Sequence, residues 1–279
     1  MADIGVSGGP MAIIAAVQIN GSSDIERNLQ TTERLVREAA ACGATFVATP
    51  EATTYLGPHD RKIALAESLD GPTNTRLANL AKSLKITLLV GSVAERLDET
   101  KAYNTSVLFG PDGNRIAHYR KMHLFDVDLA SSGGVTFKES NTTGRGESVV
   151  VADTTIGKLG MSICFDLRFP ELYRSLCDQG ATILAVPSAF ILMTGKDHWH
   201  ALLRARAIEN QAWVIAPGQW GHHDDKGLRL SYGHSLIIDP WGTVVAECSD
   251  GEGFCMANLD DERVNKIRQQ IPMNSNRQL

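Results

Sequence analysis

Ala44-Thr-Phe-Val-Ala-Thr-Pro50-Glu51 reads as a short strand over Ala44–Thr49 that halts at a proline and presents a carboxylate at its end. Its flanks set the pattern. Upstream, Asp24–Ala41 places Ile25, Leu29, Val36 and Ala40 near helical spacing, and Gly43 suits the stop. Before that helix, Met11–Ile19 is strand-like. Downstream, Pro72 opens a second helix with Leu77, Leu80, Ala81 and Leu84 on one face, proline taking the first-turn position it favours. Ile86–Ala94 is again strand-like. This strand–helix alternation predicts a sheet with helices packed on it, an α/β fold.

The middle and end of the chain add antiparallel elements. Tyr103–Phe109 and Arg115–Tyr119 flank the turn Pro111-Asp-Gly-Asn114, and Ser235–Ile238 and Thr243–Ala246 flank Asp239-Pro-Trp-Gly242. Ala181–Val186 and Trp213–Pro217 read as strands around a helix from about Asp197 to Asn210, where Trp199, Leu202, Leu203 and Ala207 share a face. The expectation is mixed sheets with helices outside. No internal repeat, low-complexity tract or linker stands out, so the whole chain, 1–279, is read as one domain with residues 1–10 a disordered lead-in.

Bulk composition excludes several classes. Hydrophobic residues make up 43% and charged residues 21%, ordinary globular usage. A net charge of −5 without a basic stripe disfavours nucleic acid and anionic membranes as partners. No apolar run is long enough to span a bilayer, and the acidic start lacks the positive region of a signal peptide. Five cysteines without CxxC spacing argue for reduced thiols in a cytoplasmic setting, not a disulfide framework or zinc site. The sequons at Asn20, Asn104 and Asn141 are then chance matches.

Three residues stand at the ends of strand-like runs. Cys164 closes Lys158-Leu-Gly-Met-Ser-Ile-Cys164 and leads into Phe165-Asp-Leu-Arg168, a charged junction that suits a cleft better than an ordinary strand-to-helix join. Glu51 follows Pro50. Lys121 follows Arg115–Arg120 and opens Lys121-Met-His-Leu-Phe125. Singly, each has a bland reading: a buried core thiol, a solvated carboxylate, a surface basic cluster. Together, with Glu139 as a weaker fourth signal, they make a toolkit for acyl transfer: a carboxylate to move protons, an ammonium to stabilise an oxyanion and a thiol to carry the acyl group. Cys42, Cys177, Cys248 and Cys255 are read as structural. His222-His223 beside Asp224-Asp225 suggests a metal or a thiol partner, but Gly221–Gly227 looks like an exposed polar loop, and no metal is assigned.

On these motifs the chain resembles the nitrilase (carbon–nitrogen hydrolase) superfamily, which uses a Glu-Lys-Cys triad in this order. The match rests on Pro50-Glu51, Tyr119-Arg-Lys121 and Ser162-Ile-Cys-Phe-Asp166 and extends from about Ile13 to Leu259. Within it, Arg120–Asp128, Cys164–Leu172, Pro187–Phe190, Leu203–Gln211 and Ser231–Ser235 are similar to the Nit amidases. The resemblance implies a four-layer αββα sandwich, assembly into homodimers or larger homo-oligomers, and Glu139 as a fourth polar site residue. It also implies hydrolysis of deaminated glutathione, with ω-amidase action on α-keto acid monoamides as the close relative. One departure is His198-Trp-His200, where Nit-type sequences commonly have His-Trp-Glu.

The expected reaction is attack of the Cys164 sulfur on a primary carboxamide, with Glu51 as base, ammonia as leaving group and a thioester intermediate. Lys121 and the Phe165 backbone N–H are the expected oxyanion donors. Arg168 is the candidate for a substrate carboxylate, and Phe190 and Thr194 for the acyl pocket. No phosphate loop, dinucleotide fingerprint or metal set is present, so no cofactor is expected. A catalytically silent assembly protein would not need the intact triad. An amidotransferase-like enzyme would need an acceptor-amine site that the sequence does not display.

Overall fold

The computed structural model describes residues 12–130, 136–223 and 229–278; the expected lead-in lies outside them. Two mixed sheets form the centre. The first runs in the order Gly253–Leu259, Ala12–Gln18, Phe46–Ala48, Thr87–Arg96, Ala102–Phe109 and Arg115–Arg120, with Thr143–Gly144 added beside Ala102–Phe109. The second runs Val151–Thr154, Gly157–Met161, Ile183–Ala185, Trp213–Ala216, Leu236–Ile238 and Val244–Glu247. Each has three parallel strands with one antiparallel neighbour on one side and two on the other. The sequence shows no repeat, yet both sheets follow one strand order.

Side-chain alternation explains the layering. In a strand, successive residues face opposite sides. Ala15, Val17, Val47, Leu88 and Val90 therefore pack against Leu29, Leu35, Val36 and Ala39 of the Ile25–Ala41 helix and Leu77, Leu80 and Ala81 of the Pro72–Leu84 helix. Their neighbours Ile14, Ala16, Phe46, Ala48 and Leu89 join a second core with Leu159, Met161, Ile183 and Leu236 of the other sheet. That core continues to Tyr173 and Leu176 of the Pro170–Asp178 helix and to Trp199, Leu203 and Ala207 of the Leu192–Asn210 helix. The result is the four layers expected, helix–sheet–sheet–helix.

Local signals acted largely as read. Asp24 caps its helix, its carboxylate accepting from the Arg27 N–H at 3.1 Å, and Pro72 sits at the start of its helix. Three readings change. The strand expected to reach Cys164 ends at Met161, and Cys164 instead opens a short 3-10 helix, Cys164–Arg168. The helix expected from Asp197 begins at Leu192; its first turn has no side-chain cap to announce it. The Gly221–Gly227 segment is not an exposed loop at its start. Trp220–His222 pairs with Leu230–Tyr232, and buried His223 donates to the Gly21 carbonyl at 2.8 Å and meets Ser231 Oγ at 2.8 Å. Asp224 and Asp225 lie outside the described residues.

The strand directions gather the chemistry at one edge. Phe46–Ala48 and Arg115–Arg120 point the same way, so Glu51 and Lys121 emerge together, and Asn104 enters its antiparallel strand from that edge. Gly91 fixes how Glu51 arrives. A Cβ at this position would sit 2.0 Å from the Thr49 carbonyl oxygen and 2.3 Å from that of Pro50. The Gly91→Ala protein is expected to lose about 1–3 kcal/mol of stability through this overpacking, read by urea unfolding. Its turnover should fall with it, because Pro50 must move and Glu51 follows. Unchanged stability and rate would mean that the turn is not held by this contact.

Candidate active site

Glu51 is buried and fully engaged. Its Oε1 accepts from Lys121 Nζ at 2.8 Å and Asn104 Nδ2 at 2.9 Å, and its Oε2 from the Ala189 N–H at 2.9 Å. Gln219 Nε2 donates to its backbone carbonyl at 2.9 Å. Lys121, only 2% exposed, reaches Glu139 Oε2 at 3.0 Å on its other side. Glu139 also accepts from the Phe125 N–H at 2.7 Å and from Asn104 Nδ2 at 3.2 Å. An ammonium between two carboxylates, with an amide bridging them, holds all three charges in place.

The electrostatics follow from this packing. Burial alone would depress the Lys121 pKa, but the Glu139 and Glu51 carboxylates outweigh it and hold the amine well above its usual value. Burial works against the Glu139 carboxylate too, yet Lys121 and then Lys62 bring it down to about 2. For Cys164, burial and next the Glu51 carboxylate raise the thiol well above its ordinary range, against the opposing pull of Lys121. Cys164 is therefore a thiol beside a carboxylate rather than a free thiolate.

Cys164 itself takes φ +50°, a left-handed conformation uncommon for a residue with a side chain. Its own N–H is tied to the Pro187 carbonyl at 2.9 Å. The next N–H, that of Phe165, has no protein acceptor among the described residues. Asp166 braces the turn from inside: its carboxylate accepts from the Ile163 N–H at 2.8 Å, the Tyr119 hydroxyl at 2.8 Å and the His123 N–H at 3.0 Å. His123 then stacks on Phe169 at 3.7 Å. The charged junction noted in the sequence thus serves two purposes, with Asp166 turned inward and Arg168 outward.

One pocket is lined by all eight residues singled out from the sequence: Glu51, Lys121, Glu139, Cys164, Phe165, Arg168, Phe190 and Thr194. Arg168 has no carboxylate partner among the described residues; it donates to His198 Nδ1 at 3.3 Å and lies over the Phe190 ring at 5.2 Å. Sequence reasoning missed several wall residues. Lys62 and Arg229 add cations, Tyr55 and Phe137 add aromatic surface, and Asn104 bridges the two carboxylates. For Asn104 the only sequence signal was the sequon, which burial makes irrelevant. Burial pushes the Lys62 amine down, opposed by Glu139.

The arrangement defines a class of enzyme. The chain belongs to the carbon–nitrogen hydrolase family, whose model matches residues 13–269, and it is a hydrolase acting on carbon–nitrogen bonds. Its relatives sharpen the comparison. It is 41% identical to a deaminated glutathione amidase of Synechocystis over 93% of this chain and 96% of that protein. It is 39% identical to an omega-amidase of Mus musculus over 93% and 92% respectively. Among solved structures, the C. elegans NitFhit protein superposes with a TM-score of 0.90 at 38% identity, covering 96% of this chain and 65% of that longer one.

Proposed function

We propose that this protein is an amidase that hydrolyses deaminated glutathione through a thioester on Cys164, in a reduced, cytoplasmic compartment. The observation that carries this reading is the convergence of Glu51, Lys121, Glu139 and Cys164 in a pocket whose outer wall adds Arg168, Lys62 and Arg229. Those three cations suit a substrate bearing carboxylates. Relatives of near-equal similarity carry the names deaminated glutathione amidase and omega-amidase. The five cysteines are unpaired, which supports a reducing location.

In this mechanism Glu51 accepts the Cys164 proton as sulfur attacks the amide carbonyl. The oxyanion sits against the Lys121 ammonium and the Phe165 N–H, donors of a kind whose loss typically costs about 100–1000-fold in rate. Glu139 keeps Lys121 charged and aimed. Protonated Glu51 then gives its proton to the departing amine, and as a carboxylate activates water against the thioester. The leaving group depends on the substrate. In α-ketoglutaramate it is ammonia, as expected above; in deaminated glutathione the amide joins the keto acid to cysteinylglycine, so the dipeptide's amine departs. The acyl group is the same in both, with its keto-acid carboxylate directed to Arg168.

That common acyl group makes the test direct. α-Ketoglutarate release is measured from deaminated glutathione and from α-ketoglutaramate, with Cys164→Ala as control. A higher kcat/KM for the former, abolished in the control, is expected. A reversed preference would assign the chain to omega-amidase action, and turnover of neither would sink the keto-acid reading. Assembly as a homodimer or larger homo-oligomer belongs to the same proposal. Exposed Ile208 packs on Gly242, next in sequence to Trp241, which is 53% exposed. Light scattering on the eluting protein should then give at least twice the mass of one chain.

A further inference from the structure

His200, His234 and Glu247 come from three separate elements: the Leu192–Asn210 helix, the segment after the Leu230–Tyr232 strand and the end of the Val244–Glu247 strand. Nε2 of His200 lies 2.9 Å, and Nδ1 of His234 2.7 Å, from the same Glu247 oxygen. All three donor atoms fall within 4.8 Å of one another. Two imidazoles converging on a single carboxylate oxygen is an economical hydrogen-bond pair, but it is also a ligand set. A tetrahedral ion with bonds of about 2.0–2.1 Å places its ligand atoms about 3.3 Å apart. From 2.9 and 2.7 Å the two nitrogen–oxygen gaps would open by about 0.4–0.6 Å, while the two nitrogens, within 4.8 Å of each other, settle to the same spacing.

The cluster is braced as a ligand set would be. His234 is held at φ +53°, its ring stacked on Tyr232 at 4.4 Å and its carbonyl accepting from Trp199 Nε1 at 2.8 Å. Its second nitrogen, Nε2, faces Asp250 Oδ1 at 3.8 Å, and Trp220 Nε1 donates to that same oxygen at 3.4 Å. A carboxylate behind an imidazole is the arrangement that orients metal-bound histidines. Each of the three side chains remains roughly one-third exposed, so water can complete the coordination. None of the three lines the catalytic pocket.

We propose that His200, His234 and Glu247 form a site for one divalent ion of the zinc class, with its fourth position open to solvent. His200 is also the residue at which the chain departs from the pattern it otherwise resembles. An ion here would clamp the Leu230–Ser235 segment to the Leu192–Asn210 helix. The Tyr232 N–H already donates to the Phe190 carbonyl at 2.8 Å, so the clamp stiffens one wall of the pocket from behind.

The test is calorimetric titration of Zn2+ into tag-free Cys164→Ala protein, which removes the pocket thiol as a competing ligand. One ion per chain is expected, with affinity falling at least tenfold in His200→Gln and in His234→Gln, each added to that background. Glu247→Gln replaces either variant that does not match the parent's melting temperature in chelator. Cobalt(II) should give the intense visible absorption of a four-coordinate site without a thiolate charge-transfer band. Unchanged affinity in the variants, a thiolate band, or no binding by the parent would each overturn the proposal.

Discussion

Lys121→Met is expected to cost at least ~100-fold in kcat, the scale of losing one oxyanion donor, and about 3–5 kcal/mol of stability, the scale of breaking a buried ion pair from one side. The two losses share a cause. Lys121 is the ammonium between Glu51 and Glu139, at 2.8 and 3.0 Å, in a setting with little access to water. Without it, two carboxylates bridged by Asn104 face each other unpaired. Urea unfolding at several pH values distinguishes this from a simple cavity. Glu139 has its carboxyl pKa brought from the usual 4.5 to about 2 by Lys121 and Lys62, against burial. A depressed pKa contributes stability that is fully present above about 4.5 and is lost as pH falls towards 2. The deficit of the variant should therefore be widest near neutrality and shrink across that acidic window. A deficit independent of pH would point to lost packing instead.

Glu51→Gln is expected to reduce turnover by about 100–10,000-fold, the range for a general acid–base group, while leaving the protein folded. Glutamine keeps the shape, but its one amide oxygen can accept from either Lys121 Nζ or the Ala189 N–H and not from both, and it cannot take or return a proton. The thiol should respond in the opposite sense. After burial, the Glu51 carboxylate is the main influence raising the Cys164 pKa, and Lys121 pulls the other way. Removing the carboxylate leaves Lys121 less opposed, so iodoacetamide should alkylate Cys164 at lower pH in the variant than in the parent. A variant that turns over at the normal rate would remove Glu51 from the base role. An alkylation profile displaced to higher pH would contradict the electrostatic account of the thiol.

The parts of this site that could be read from sequence are those carried by strand ends. Glu51, Lys121 and Cys164 each follow a strand-like run, and their joint chemistry, with the family resemblance in chain order, places them as a set. Their partners are remote: Ala189 supplies its N–H to Glu51 from 138 residues away, and Gln219 holds the Glu51 carbonyl from 168. No local pattern encodes such pairings. Asn104 looked like a sequon because polarity in sequence does not reveal burial. The turn at Cys164 was invisible for a different reason, since a left-handed backbone is signalled by glycine and here a cysteine adopts it. The early start of the Leu192–Asn210 helix went unread because Ile191 at its N-cap offers no capping side chain. Hydrophobic periodicity, by contrast, sufficed for mixed sheets with helices packed outside, because each strand face and helix stripe must find its own core; the four-layer order was implied by the family resemblance.

Acyl transfer through Cys164 is tested by intact-protein mass spectrometry of the Glu51→Gln protein, quenched in acid after mixing with α-ketoglutaramate or deaminated glutathione. One ketoglutaryl adduct per chain is expected, the same from both substrates, mapping to the peptide that contains Cys164 and persisting longer than in the parent. Substrate consumption with no adduct on Cys164 in either protein, or an adduct on another residue, would contradict it.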